Sequence, residues 1–167
     1  MLYHSDQVIG KMLLNELWRH RHEVMGLEKA DTLAIDNYRN SLVAREIDHR
    51  LYSEICEDLQ TAARKFFNEP ELLVNQFDYL IYLKGMYFKR HSDDVVVDGK
   101  QYRKYTSITM MYKSDDFKGG QLNIEIDGKV VTPTIKKGQT IMFPSEYMHW
   151  VDPVESGRRE VLVAWLN

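Results

Sequence analysis

The chain has 167 residues, 44% of them hydrophobic and 28% charged, with one cysteine and a formal net charge of −3. That length builds one domain with a sizeable core and leaves no room for a second. A single cysteine excludes an intrachain disulfide, the scattered basic residues give no broad nucleic-acid footprint, and no apolar run reaches the length of a membrane span. With no basic-then-apolar start either, the expectation is a cytoplasmic protein without nucleic-acid or membrane partners.

In chain order, residues 5–24 open on Ser5-Asp6, a residue pair suited to a helix cap. Ile9, Met12, Leu13 and Trp18 follow at helical spacing, which predicts a helix packed on the outside of a sheet. His20 and His22, in WRHRHE, read as solvated, because the flanking arginines repel a cation and no third ligand is near in sequence. Residues 26–45 read as loop with room for a short helix. From about Ala44 to Asn68, the residues Ile47, Leu51, Ile55, Leu59, Ala63, Phe66 and Phe67 recur at three- and four-residue steps and define one face of a long helix. Asn68-Glu69-Pro70 ends it. Cys56 near that face reads as a small buried hydrophobe, and His49 as solvated. Residues 1–70 are therefore helical support for the remainder, 71–167, within a single domain.

Beyond Pro70 the pattern changes to short strands broken by turn signals at Asp98-Gly99, Gly119-Gly120, Asp127-Gly128 and Lys137-Gly138. LNIEI-DG-KVVTPTI is an Asp-Gly hairpin of the strongest short-range kind. Evenly spaced strands behind two or three helices predict a mainly β chain, folded as a small barrel or jelly roll.

Two stretches carry chemistry. In YFKRHSDD, His91 and Asp93 stand two apart, so on a strand they project to one side and can hold one metal ion together. His149 supplies the natural third ligand. Two histidines and a carboxylate form the facial triad of non-haem iron oxygenases, with three positions left for co-substrate and O2. In the last strand, Arg159 alternates onto the face of Val161, Val163 and Trp165, while Arg158 shares the other face with Glu160 and Leu162. A guanidinium among valines and a tryptophan needs an anion, either an internal carboxylate or a ligand.

Residues Tyr79 to Asn167 resemble the prolyl 4-hydroxylase-like branch of the Fe(II)- and 2-oxoglutarate-dependent dioxygenases. The matching positions run in order: Tyr82, Gly85, Phe88, His91 and Asp93; Tyr112, Gly119 and Gly120; Gly138, Phe143, Pro144, His149, Pro153, Val154, Gly157 and Arg159; and Trp165. The resemblance implies a double-stranded β-helix with Fe(II) on His91, Asp93 and His149. It pairs Arg159 with the distal carboxylate of 2-oxoglutarate, has Tyr112 donate to the same carboxylate, and sets Tyr82 and Trp165 beside the co-substrate. O2 is the second co-substrate, ascorbate a candidate auxiliary reductant, and succinate and CO2 the co-products. Trp165, Phe143, the valines and Met110 or Met111 would keep the site dry.

The implied substrate is a prolyl residue in a protein or peptide, gripped by a lid spanning residues 94–104. The alternatives are a free amino acid or other small metabolite, and a non-catalytic barrel that binds metal and 2-oxoglutarate. A cupin-like enzyme using another divalent metal is a lesser rival, since it needs no second carboxylate site. The sequence leaves the oligomeric state open.

Overall fold

A computed structural model describes residues 1–20, 28–29, 39–44 and 49–167. The first part comprises β1 (Tyr3–Asp6), α1 (Lys11–His20), β2 (Glu28–Lys29), β3 (Arg39–Asn40), β4 (Leu42–Ala44) and α2 (His49–Phe67). Next come β5 (Val74–Leu83), β6 (Tyr87–His91), β7 (Val96–Val97), β8 (Lys100–Gln101), β9 (Tyr105–Lys113) and β10 (Lys118–Gly119). The chain closes with β11 (Leu122–Ile126), β12 (Lys129–Val131), β13 (Gln139–Pro144), β14 (His149–Val151), β15 (Val154–Ser156) and β16 (Arg158–Leu166).

A seven-stranded sheet in the order β1-β13-β9-β16-β5-β4-β2 faces a five-stranded one in the order β12-β11-β14-β6-β3. The pairs within both are antiparallel, and together they form a double-stranded β-helix. Its centre is β16, paired with β5 on one side and β9 on the other. Alternation along β16 sorts its side chains between two cores. Val161, Val163 and Trp165 join the barrel interior with Leu80, Tyr82, Phe143 and Val151. Leu162, Ala164 and Leu166 join the layer beneath the helices, with Leu17 of α1 and Ile55 and Leu59 of α2. Each fully buried leucine on that second face contributes about 1.5–3 kcal/mol, and this is what holds α1 and α2 against the sheet.

α2 buries Leu51, Ile55, Leu59 and Ala63, the stripe its spacing predicts, together with Cys56. It stops where Asn68 takes φ 56°, ahead of Pro70. Both Asp-Gly turns place both of their residues at positive φ, Asp98 and Gly99 at 50° and 75°, Asp127 and Gly128 at 50° and 73°. That is the turn whose twist matches a hairpin.

In its N-terminal part the structure departs from the sequence reading. Ser5 and Asp6 do not cap a helix, because they belong to β1 and pair with Thr140 and Gln139 of β13. α1 begins later, where Gly10 N–H donates to Asp58 of α2 at 2.8 Å. The described parts of residues 26–45 are the strands β2, β3 and β4 rather than loop and helix. Ala44 closes β4 rather than opening a helix, and the described part of α2 is His49–Phe67. Ile47, His22 and the side chains of His20 and His49 lie outside the described residues.

Candidate active site

The five-stranded sheet brings the two histidines together. His149 of β14 is the register partner of His91 of β6, and their ring centroids lie 4.2 Å apart. Asp93 follows β6 immediately, fixed by its own N–H donating to Ser145 O at 2.9 Å. His91, Asp93 and His149 are all buried, and their candidate ligand atoms all lie within 4.8 Å of one another. Asp93 Oδ1 is 3.4 Å from His91 Nε2 and Oδ2 is 3.3 Å from His149 Nε2. Donors about 2.1 Å from one ion and at right angles are about 3 Å apart, so the set fits an octahedral ion.

The imidazoles are oriented by their own strands. His91 Nδ1 lies 2.7 Å from Lys89 O and His149 Nδ1 lies 2.9 Å from Tyr147 O. A carbonyl only accepts, so each Nδ1 carries the hydrogen and each Nε2 offers its lone pair. Thr106 Oγ1 donates to Asp93 Oδ2 at 2.9 Å and meets Ser145 Oγ at 2.9 Å. Burial alone would push the Asp93 carboxyl up, but His149 and His91 hold it well below the usual carboxylate range. It is therefore ionised and ready to ligate.

Arg159 enters the same cavity from the seven-stranded sheet. It is 3% exposed, its Nη1 has no hydrogen-bond partner among the described residues, and burial draws its pKa below the ordinary arginine value. Among the described residues no carboxylate pairs with it, which leaves an anionic ligand as the partner that its burial demands. Tyr82 is its register partner on β5, with the guanidinium carbon 5.4 Å from the ring centroid. Burial pushes the Tyr82 phenol up, against the pull of the nearby Arg39 and Arg159. On its far side Arg159 borders a second cavity of about 240 Å³, lined also by Lys113 and Lys118.

Arg158 turns to the outer face and pairs with the fully buried Glu160, which also accepts from Tyr79 Oη. Trp165 lines the cavity, its buried Nε1 has no hydrogen-bond partner among the described residues, and Arg103 covers its ring at 4.0 Å. Met110 and Phe143 face the interior, whereas Met111 faces the helices.

Tyr112 lies apart from these residues. The ladder between β16 and β9 shifts register between Glu160 and Val161, so Met110 pairs with Val161 and Tyr112 pairs with Glu160 on the outer face. The Tyr112 ring rests near Trp18 of α1, with centroids 6.1 Å apart. The tyrosine beside Arg159 is Tyr82. Sequence reasoning also missed Arg39, Thr106 and Ser145. Arg39 and Ser41 precede the short apolar strand Leu42–Ala44, which says nothing of where their side chains lie; Thr106 and Ser145 give no local signal either.

Comparison with known proteins agrees with this geometry. The sequence family described as the 2OG-Fe(II) oxygenase superfamily matches residues 77–167. A PKHD-type hydroxylase of Idiomarina loihiensis is 34% identical over 87 residues, covering 52% of this chain and 39% of the relative. The chain thus spans about two fifths of the length of the curated relatives it first matches. Among solved structures, a Pseudomonas putida prolyl-4-hydroxylase superposes with TM-score 0.73 at 20% identity, covering 99% of this chain and 91% of its own. A Trichoplax adhaerens prolyl hydroxylase, solved with a hypoxia-inducible-factor peptide fragment, gives TM-score 0.68 at 18% identity, covering 98% and 82%. At those identities the two structures share the fold. The sequence match, falling on the stretch that supplies His91, Asp93, His149 and Arg159, makes this chain a member of the 2OG-Fe(II) oxygenase superfamily.

Proposed function

We propose that the protein is an Fe(II)- and 2-oxoglutarate-dependent dioxygenase that hydroxylates a C–H bond of a prolyl residue in a protein or peptide, releasing succinate and CO2. The observation that carries the proposal is one cavity holding both a His91-Asp93-His149 ligand set and a buried, unneutralised Arg159. When bound, Fe(II) supplies the activation of O2 that couples 2-oxoglutarate decarboxylation to oxidation of the substrate.

The chain's own residues do the rest. His91, Asp93 and His149 would hold the ion through two imidazole nitrogens and a carboxylate. Arg159 would hold the distal carboxylate of 2-oxoglutarate with a planar, charged fork, and the phenol of Tyr82, whose ring centroid is 5.4 Å from that guanidinium, would donate to the same anion. Phe143, Val161, Val163 and Trp165 exclude water from the space between.

The prolyl-peptide substrate is supported by the resemblance to prolyl hydroxylases, one of them solved with a peptide. The hairpin β7–β8, which begins three residues after Asp93, and its flanks expose Val95, Val96, Val97 and Tyr102, apolar surface of the sort an extended chain covers. The test is succinate formation from 2-oxoglutarate with Fe(II), read together with mass spectrometry of proline-containing peptides for the gain of one oxygen atom. Oxygen gain on a small molecule in place of proline would move the assignment to a metabolite hydroxylase. No succinate with any substrate would leave a binding barrel.

A further inference from the structure

The cavity contains a second guanidinium that neither the metal nor 2-oxoglutarate requires. Arg39, on the short edge strand β3, lines the same space as His91, Asp93 and His149. Its Nε donates to the buried Ser41 Oγ at 3.0 Å. Its guanidinium carbon lies 4.9 Å from the centroid of the Phe88 ring, which stacks in turn on the His91 imidazole at 3.7 Å. The hydroxyl and the ring fix the plane of the guanidinium, while its buried Nη2 has no hydrogen-bond partner among the described residues. A donor held this firmly and left unmet is costly to the free protein, and an acceptor brought by a ligand relieves it.

Charge identifies the acceptor. Among the described residues, the charged side chains lining this cavity are Arg39 and Arg159 against Asp93 alone. Divalent iron and doubly charged 2-oxoglutarate cancel each other, so one positive charge stays unmatched in a site of low dielectric. A neutral prolyl segment leaves it so. A carboxylate meets both the charge and the two-pronged geometry of a guanidinium.

We propose that Arg39 determines specificity for the oxidised substrate, and that this substrate carries a carboxylate which Arg39 binds while the target C–H bond faces the metal ligands. The inference rests on the dioxygenase reading above and names the substrate class for it. The carboxylate comes either from an acidic side chain beside the target proline or from the terminal α-carboxylate of a peptide ending there.

The test uses protein loaded with Ni(II) and 2-oxoglutarate, titrated calorimetrically with three short peptides of one length, each with an internal proline. One is neutral and capped at both ends, one is capped and has Asp after the proline, and one ends on a free carboxylate directly after it. One of the two acidic peptides should bind at least about tenfold tighter than the neutral one, and which one it is identifies the source of the carboxylate. Arg39→Gln should abolish that preference, and Arg39→Lys should keep part of it. Three equal affinities, or three too weak to measure, overturn the proposal, as does a preference that survives in Arg39→Gln. If Arg39→Gln does not fold, the comparison of peptides on the wild-type protein still decides. Titration with 2-oxoglutarate before any peptide separates the two readings: failure at that step overturns the dioxygenase assignment, and failure with the peptides alone overturns only the role of Arg39.

Discussion

Replacing Asp93 by alanine removes the carboxylate that stands between two imidazoles and leaves Nε2 of each without its acidic neighbour. We expect Asp93→Ala to lose stoichiometric Fe(II) and all iron-dependent turnover while its circular dichroism stays native, and turnover near wild type would remove the metal assignment. The neighbouring arginines give a sharper contrast. Arg159→Ala should weaken 2-oxoglutarate binding by about 2–5 kcal/mol in an anaerobic Fe(II) titration. Arg158→Ala should change that affinity by less than about 1 kcal/mol and instead lower the melting temperature, because its partner Glu160 is fully buried. Tyr82→Phe should cost about 0.5–1.5 kcal/mol of 2-oxoglutarate affinity, and Tyr112→Phe nothing measurable. The arginines were legible in the sequence because strand alternation is strict between Arg158 and Leu166. Tyr112 was not, because the shift in register opposite Glu160 puts it on the helix side, and no local sequence signal announces a bulge. Arg39 was invisible for another reason. Its neighbours Phe88 and His91 reach it only through the pairing of β3 with β6, which periodicity in a two-residue strand cannot reveal.

At the level of elements, the β7–β8 hairpin has only two pairs in its ladder and a valine strip facing solvent. Such a hairpin is marginal without a partner. Deleting Val96 to Gln101 and joining the ends should sharply reduce peptide hydroxylation while 2-oxoglutarate affinity stays within about 1 kcal/mol, read by calorimetry and product mass. A harmless deletion would remove the lid. A different tie joins the end of α2 to the start of β9, where Glu69 accepts from Lys104 Nζ and, at 2.6 Å, from Tyr105 Oη. These bonds to Lys104 and Tyr105 pull the Glu69 carboxyl below its ordinary value of 4.5. A lowered native pKa means that the contribution is present above the unfolded value and lost as pH falls through the native one. Glu69→Gln should therefore lower the melting temperature at neutral pH and make no difference in strong acid. As Glu69 is one-third exposed, the loss should be under about 1 kcal/mol. A penalty independent of pH would contradict the ion pair. The hairpin turns were legible because Asp-Gly tolerates positive φ at both positions. The strands β1, β3 and β4 were not, since their partners lie far along the chain.

At the level of the whole molecule, the seven-stranded sheet carries a core on each face, one filling the barrel and one joining the helices to it. Leu59 belongs wholly to the second. Leu59→Ala should cost about 2–5 kcal/mol of folding stability and leave 2-oxoglutarate affinity unchanged at temperatures where the protein stays folded. A parallel fall in affinity would show that the helices strain the site. This division was legible in outline, as a helical stripe followed by alternating strands, because both periods are properties of single elements. Which sheet carried the ligands was not, for that depends on strand order. One feature of the ligand cage reaches beyond structure. Both imidazoles are oriented by a carbonyl two residues back on their own chain, so the backbone itself turns each Nε2 toward Asp93. A cage of nitrogen and oxygen donors does not refuse the stronger binders of the divalent series, copper, nickel and cobalt. On the proposed reading the ligand set itself would not choose iron, and occupancy would follow the free ions that the chain encounters.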